Sequence, residues 1–218
     1  MRTLALIATC FVLACPAGAV SQDFGDPPAG VYRVDPTHAN LLAFVDHLGM
    51  SDYLIRFTRF DAELVFNPEH PDSMSVSAQI DVSSLRTGYP REDVDFDATI
   101  TGPDWLDAGT HPYIIFTSTA VYQTGANTAD VTGQLSLLGV EREVVLAVTY
   151  NGGYAGMPVY DPQGRIGFSA TTTFNRSDFG LVNGLPTPDF NIGVGDPVEV
   201  RIELEMLGPP LPDAGEAP

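Results

Sequence analysis

The stretch VTGQLSLLGVEREVVLAV, residues Val131 to Val148, decides the fold class. Val131, Gly133, Leu135 and Leu137 fall on one face, and Asp130, Thr132, Gln134 and Ser136 on the other. Beyond the turn Leu138-Gly139-Val140-Glu141, the alternation resumes with Val144, Leu146, Val148 and Tyr150. A period of two over two runs joined by a glycine-containing reversal reads as an antiparallel hairpin with one dry face. That face either packs a closed core or lines a cavity.

Outward from the hairpin, the same pattern repeats. Strands are expected at 29–35, closed by Pro36, then at 40–48, 54–66, 73–82, 113–122, 165–174 and 198–206. Turn residues punctuate the gaps, as in Asn67-Pro68, Gly125-Ala126-Asn127, Asn151-Gly152-Gly153 and Asp161-Pro162-Gln163-Gly164. The one helical excursion falls at 93–107 and is broken at Gly102-Pro103. About eight one-sided antiparallel strands specify an all-β domain, either a sandwich or a barrel. No composition shift divides residues 29–207, so they form one domain. The tail 208–218 holds nothing to bury and is expected to be disordered.

The 218 residues carry a formal charge of −18, and all ten basic residues are arginine. Nucleic-acid phosphates and anionic membrane surfaces repel such a chain, so neither is an expected partner. Arg2 and the apolar run Leu4 to Leu13, followed by Ala17-Gly18-Ala19, have the form of a signal peptide over residues 1–19, with a linker over 20–28. The chain is therefore expected to be exported. Cys10 and Cys15 both fall inside the signal. Val12-Leu13-Ala14-Cys15 loosely matches a lipoprotein box, which leaves anchoring at Cys15 as an alternative to a soluble form.

Catalytic signatures are absent: there is no nucleophile elbow, phosphate loop or dinucleotide fingerprint. His38 and His47 lie nine residues apart, which is not by itself a metal-ligand spacing. Asn175-Arg176-Ser177 fits a glycosylation sequon but reads better as part of a turn. The sequence thus predicts no enzyme, no metal and no resident cofactor.

Several phrases, in order along the chain, resemble the YceI-like proteins. They are Tyr32-Arg33-Val34-Asp35-Pro36-Thr37-His38 with Leu41, Val45 and His47-Leu48-Gly49; Arg56 to Asp61; Ile80 to Thr87; Trp105-Leu106-Asp107; His111 to Ser118; and Phe174 to Gly180. Together with the opening hairpin they cover roughly 29–207. The resemblance implies a lipocalin-like eight-stranded barrel that binds a long apolar lipid, such as a polyisoprenoid, isoprenoid quinone or fatty-acid derivative. It implies an exported carrier located in the periplasm, with a membrane electron-transport or lipid-delivery partner and a homodimer left open. Two other readings remain: a structural or stress-response partner protein whose barrel is filled by its own side chains, and an enzyme using His38 or His47 as base on a bound lipid.

The expected lining comes from inward alternates: Leu41, Val45, Phe57, Ile80, Ile114, Phe116, Leu135, Leu137, Phe168 and Phe174. Arg56, Arg59, Arg86 and Arg176 are candidates to meet a polar head, against the competing expectation of ion pairs with surface carboxylates. With so few cations, an uncharged head suits the chain better than a pyrophosphate. Three positions depart from the family pattern: Ala43 replaces a large aromatic, Ile55 a glycine, and Leu138 a histidine in the hairpin turn. Ala43 widens the lumen if it faces inward; a one-residue bulge would instead put Phe44 inside.

Overall fold

A computed structural model describes residues 24–211. The strands are β1 (Gly30–His47), β2 (Ser51–Phe57), β3 (Phe60–Phe66), β4 (Ser75–Asp81), β5 (Leu85–Arg86), β6 (Tyr113–Gln123), β7 (Thr128–Leu137), β8 (Val140–Tyr154), β9 (Gln163–Asn175) and β10 (Val194–Pro210). Every pairing is antiparallel, in the order β10-β9-β8-β7-β6-β4-β3-β1, and β10 pairs back onto β1 to close the ring. β2 follows β3 along the same edge of β1, so the two act as one bent stave and the barrel has eight. The all-β barrel expected from the sequence is what the chain forms.

Two strand boundaries differ from the expectation, each for a local reason. The segments expected at 29–35 and 40–48 are one strand, β1. Its ladder with β10 jumps from Val34↔Met206 to Ala39↔Leu204, so Pro36 is carried in a bulge and owes the ladder no N–H. Asp35 organises that bulge by accepting from the Thr37 N–H at 2.9 Å and the Thr37 hydroxyl at 2.6 Å. Conversely, the strand expected at 54–66 is broken at Thr58-Arg59. The Thr58 N–H donates to the Ser84 carbonyl and the Arg59 N–H to the Ser84 hydroxyl, which bends the stave inward over buried Ser84.

The opening hairpin turns in two residues, since Leu137 pairs with Val140. Leu138 (φ 54°) and Gly139 (φ 74°) are both left-handed, the backbone that matches the twist of a two-residue hairpin. The helical excursion shrinks to α1 (Phe96–Thr101), whose N-terminus is capped by the Asp95 carboxylate accepting from the Ala98 N–H at 2.9 Å. α1 and residues 102–112 cross the barrel end where β5 and β6 diverge. At the other end, β10 runs through Pro210, which pairs with Gln163, so the first part of the expected tail belongs to the sheet. Residues 1–23 and 212–218, with the expected signal peptide and the rest of the tail, lie outside the described residues.

The barrel is closed at the end where β1 begins. Tyr32, fully buried, packs edge-on against Phe66 (5.5 Å between centroids), and Tyr150 bridges Phe66 and Phe168. Burial, with a smaller contribution from neighbouring Tyr150, pushes the Tyr32 phenol up to about 12, and its hydroxyl donates to the Pro28 carbonyl at 2.8 Å. This aromatic plug closes one end of the lumen.

Candidate functional site

Above the plug lies a cavity of about 800 Å³, walled by alternate residues of β1–β4 and β6–β10 and covered by the α1 region. Its size falls within the usual range for pockets that hold small molecules, roughly 300–1,000 Å³. All ten residues expected at the lining (Leu41, Val45, Phe57, Ile80, Ile114, Phe116, Leu135, Leu137, Phe168 and Phe174) stand on its wall. Their shared facing follows from closure: once register is set, period two sends every second side chain to the same lumen.

The departures from the family pattern resolve. Ala43 is inside and buried between Val200 of β10 and Ile55 of β2. Phe44 is outside, with the Arg201 guanidinium 4.6 Å from its ring centroid. No bulge restores an aromatic at this level, so the lumen is wide there. Ile55 also lines it. Leu138 packs against the main core from its turn.

Some of the wall lies outside the expected set. Val198, Val200, Ile202 and Leu204 of β10 line the lumen, as do Val144, Leu146 and Val148 of β8. Their alternation is plain in the sequence; only their level in the barrel is not. Phe96, Ile100, Trp105 and Leu106 also reach the cavity, from the segment expected as a broken helical excursion; Phe96 and Ile100 stand one helical turn apart, but nothing local shows that the segment crosses a barrel end.

Polar side chains on the wall are few: His47, Tyr53, Tyr89, Ser75, Thr172 and Arg176. His47 and Tyr89 are also exposed, which marks the mouth at the end of β1 opposite the plug. There the Tyr53 and Tyr89 rings both lean on Phe96, at 5.7 and 5.0 Å. Arg176 is 2% exposed beneath the mouth. Its guanidinium donates to the carbonyls of Gly195, Leu181, Asn183 and Val194, and it sits 5.9 Å from the Trp105 ring. Burial pulls its pKa below the usual arginine value, partly opposed by nearby Asp196. Four backbone acceptors make it a clamp on the loop 181–195.

The other candidate arginines divide as follows. Arg59 pairs with Asp81 at 2.8 Å, and Arg86 lies 3.9 Å from Asp97, both at the surface. Arg56 sits opposite Arg86 across β2 and β5 and faces outward. The turn reading of 175–177 fits the geometry: Ser177 donates to Asp196 through both its N–H (2.9 Å) and its hydroxyl (2.7 Å).

His38 is not on the cavity wall. Its Nδ1 lies 2.9 Å from the Asp35 carboxylate in a cluster on the barrel exterior. Asp35, His38 and Glu205 are close enough together to share a cation. Arg165 already supplies it, with Nη1 at 2.8 Å from Asp35 and 2.6 Å from Glu205, while its Nε reaches Asp161 at 2.7 Å. At Asp35, burial alone would raise the pKa, but hydrogen bonds from Thr37, His38 and Arg165 together hold it well below the usual carboxylate range. This cluster pins β1, β9 and β10 together.

Residues 32–206 match the family model described as the YceI-like domain. The chain belongs to the YceI-like family. Among curated relatives, a UPF0312 protein of Pseudomonas putida (strain W619) is 36% identical over 170 residues, covering 75% of this chain and 83% of that one. A UPF0312 protein of Pseudomonas savastanoi pv. phaseolicola is 32% identical over 188 residues, 85% of this chain and 90% of the relative. The solved structure of BcnA from Burkholderia cenocepacia superposes with TM-score 0.66 at 26% identity, over 79% of this chain and 98% of that one. A polyisoprenoid binding domain from Saccharophagus degradans shares the YceI-like barrel at TM-score 0.59 and 14% identity, over 84% of this chain and all of that one.

Proposed function

We propose that this YceI-like protein is an exported carrier that holds one long apolar molecule, a polyisoprenoid, isoprenoid quinone or fatty-acid derivative, inside its barrel. The observation that carries the reading is the cavity itself, about 800 Å³ with an almost wholly apolar wall. At about 30 Å³ per water-sized group it accepts roughly 27 such groups, the bulk of some five isoprene units. Each buried methylene contributes about 0.8 kcal/mol, so twenty carbons give roughly 16 kcal/mol before ordering costs. Such binding needs few directed contacts and no reacting group, consistent with a binding protein that carries out no chemistry.

The self-filled barrel fits less well, since close-packed interiors keep few voids larger than a water molecule. The fold likeness to a polyisoprenoid binding domain adds support. Export to the periplasm rests on the signal-like segment 1–19, and on the need for a carrier where an insoluble chain must cross water. Delivery to a membrane electron-transport or lipid-handling partner belongs to the same proposal.

The test is native mass spectrometry, with organic extraction, of protein purified from its own host. One lipid per barrel is the expected result. Barrels that are empty across preparations, and that take up no lipid after solvent stripping, would overturn the reading.

A further inference from the structure

The loops around the mouth expose apolar side chains on an acidic ground. Leu48, Met50, Val94, Val182, Phe190 and Ile192 are each more than a third exposed, Met50 at 74% and Phe190 at 67%. They stand on three loops that are tied to one another. The Leu48 N–H donates to the Gly193 carbonyl at 3.2 Å, Tyr53 and Tyr89 both pack on Phe96, and the Asn183 side chain donates to the Asp104 carbonyl. Two of the tips are firmly held turns. Leu48 and Gly49 are left-handed, with the Gly49 N–H on the Asp46 carboxylate at 2.8 Å, and Thr187 and Phe190 exchange backbone hydrogen bonds at 2.8 and 3.1 Å. Among the described residues, the loops of the plugged end bring only Val159 and Tyr160 of their large apolar side chains to the surface.

The charge at the mouth has one sign. Residues 46–52, 86–112, 138–143 and 176–196 hold thirteen carboxylates against four arginines. Arg91 pairs with Asp93 at 2.6 Å, Arg86 lies 3.9 Å from Asp97, and Arg176 is taken up by four backbone carbonyls. Arg142, beside the β7–β8 turn, is exposed, but Glu141 and Glu143 flank it. With all four arginines counted, the field over the mouth is negative.

From this we propose that the mouth is a docking surface for a partner protein whose own apolar opening is collared by lysine and arginine. The inference rests on the carrier reading and adds the partner's chemistry to it. Apolar knobs inside a charged ring have the anatomy of an interface core and its rim. Complementary charge speeds the encounter and sets the orientation, and the knobs, once buried, hold the two openings together. A lipid then passes from one apolar site to the other without crossing water. Charge also selects among occupants. A second copy set mouth to mouth brings thirteen more carboxylates to the same place, and an anionic bilayer meets the same repulsion. A neutral bilayer accepts the knobs but gains nothing from the acid ring.

The test is photo-cross-linking of the full chain in its own host, with benzoylphenylalanine in place of Phe190 or Met50. Val159 and Tyr160 serve as exposed controls at the other end. One protein adduct is expected from both mouth positions and from neither control. That partner, once purified, should bind the lipid-loaded protein about tenfold or more weaker at about 200 mM salt than at about 50 mM. Phe190→Asp and Met50→Asp should each weaken it about tenfold or more. Asp52→Asn and Asp189→Asn should slow association about two- to fivefold and leave dissociation unchanged. None of these four side chains is on the cavity wall, so lipid per barrel and melting temperature should hold in every variant. Adducts with a second copy, with an acidic protein or with lipid alone, no adduct, or equal adducts from the controls would overturn the docking inference. Binding to phosphatidylcholine vesicles that Phe190→Asp abolishes would overturn it in favour of a bilayer. In each case lipid found in the barrel leaves the carrier reading standing, whereas barrels that never hold lipid remove the carrier reading itself.

Discussion

Ala43→Phe tests the cavity reading most directly, because it separates lipid retention from stability. Ala43 points into the lumen at the level of Ile55 and Val200, where no aromatic fills the space. A cavity of about 150 Å³ is enough to hold a benzene molecule, so a phenyl ring placed here removes at most that much. Against about 800 Å³ this is close to a fifth of the lumen. At about 30 Å³ per group the loss is roughly five chain carbons, one isoprene unit. At about 0.8 kcal/mol per methylene, a ligand long enough to fill the barrel loses up to about 4 kcal/mol. That is close to a thousandfold in affinity. A short chain can lie wholly below this level, toward the plug, and then loses almost nothing. The ring enters empty space rather than a packed wall, so the melting temperature of ligand-free protein should hold or rise. The assay is competitive binding of a graded series of prenyl alcohols, read beside thermal unfolding. Equal weakening of long and short chains, or a fall in melting temperature with no change in binding, would refute the reasoning.

Three further outcomes are expected. Phe116→Arg, on the wall, should abolish lipid retention while Thr117→Arg on the outer face leaves it intact; co-purified lipid measured on both proteins checks the register. Gly133→Ala should destabilise by about 1–3 kcal/mol in denaturant titration, since a Cβ there would run into the Phe116 ring and meet the Thr117 carbonyl at 2.6 Å. Arg165→Met strands Asp35, Asp161 and Glu205 together, at the lower end of about 3–5 kcal/mol because Glu205 is partly exposed. The depressed pKa of Asp35 fixes the sign of the pH dependence. Its contribution is complete above the unfolded-state value near 3.8 and is lost as pH falls toward the folded value. Wild type should therefore weaken below about pH 4, and Arg165→Met should show a shallower acid slope.

Much of the fold was legible because its signal is local. Period two over Val131–Val148, Ser75–Asp81 and Val198–Met206 needs no knowledge of partners, and antiparallel strands with one dry face must bury it. The boundaries were less legible. Pro36 reads as a strand end, yet it sits in a bulge of one long β1, because Asp35 and Thr37 turn the chain out and back. Arg56 to Asp61 reads as continuous strand, and only the distant Ser84 shows where it bends.

The candidate site divides the same way. Alternation alone chose which face of each strand is apolar, and in a closed barrel that face has only the lumen to look into; this is why all ten expected residues lie on one wall. Whether that lumen is filled or hollow was decided by tertiary structure. It depends on the plug of Tyr32, Phe66, Tyr150 and Phe168 meeting at one end, on Ala43 rather than Phe44 facing in, and on α1 with Trp105 crossing the other end. Those are contacts between residues far apart in the chain, made only when β10 closes on β1, and no local period encodes them.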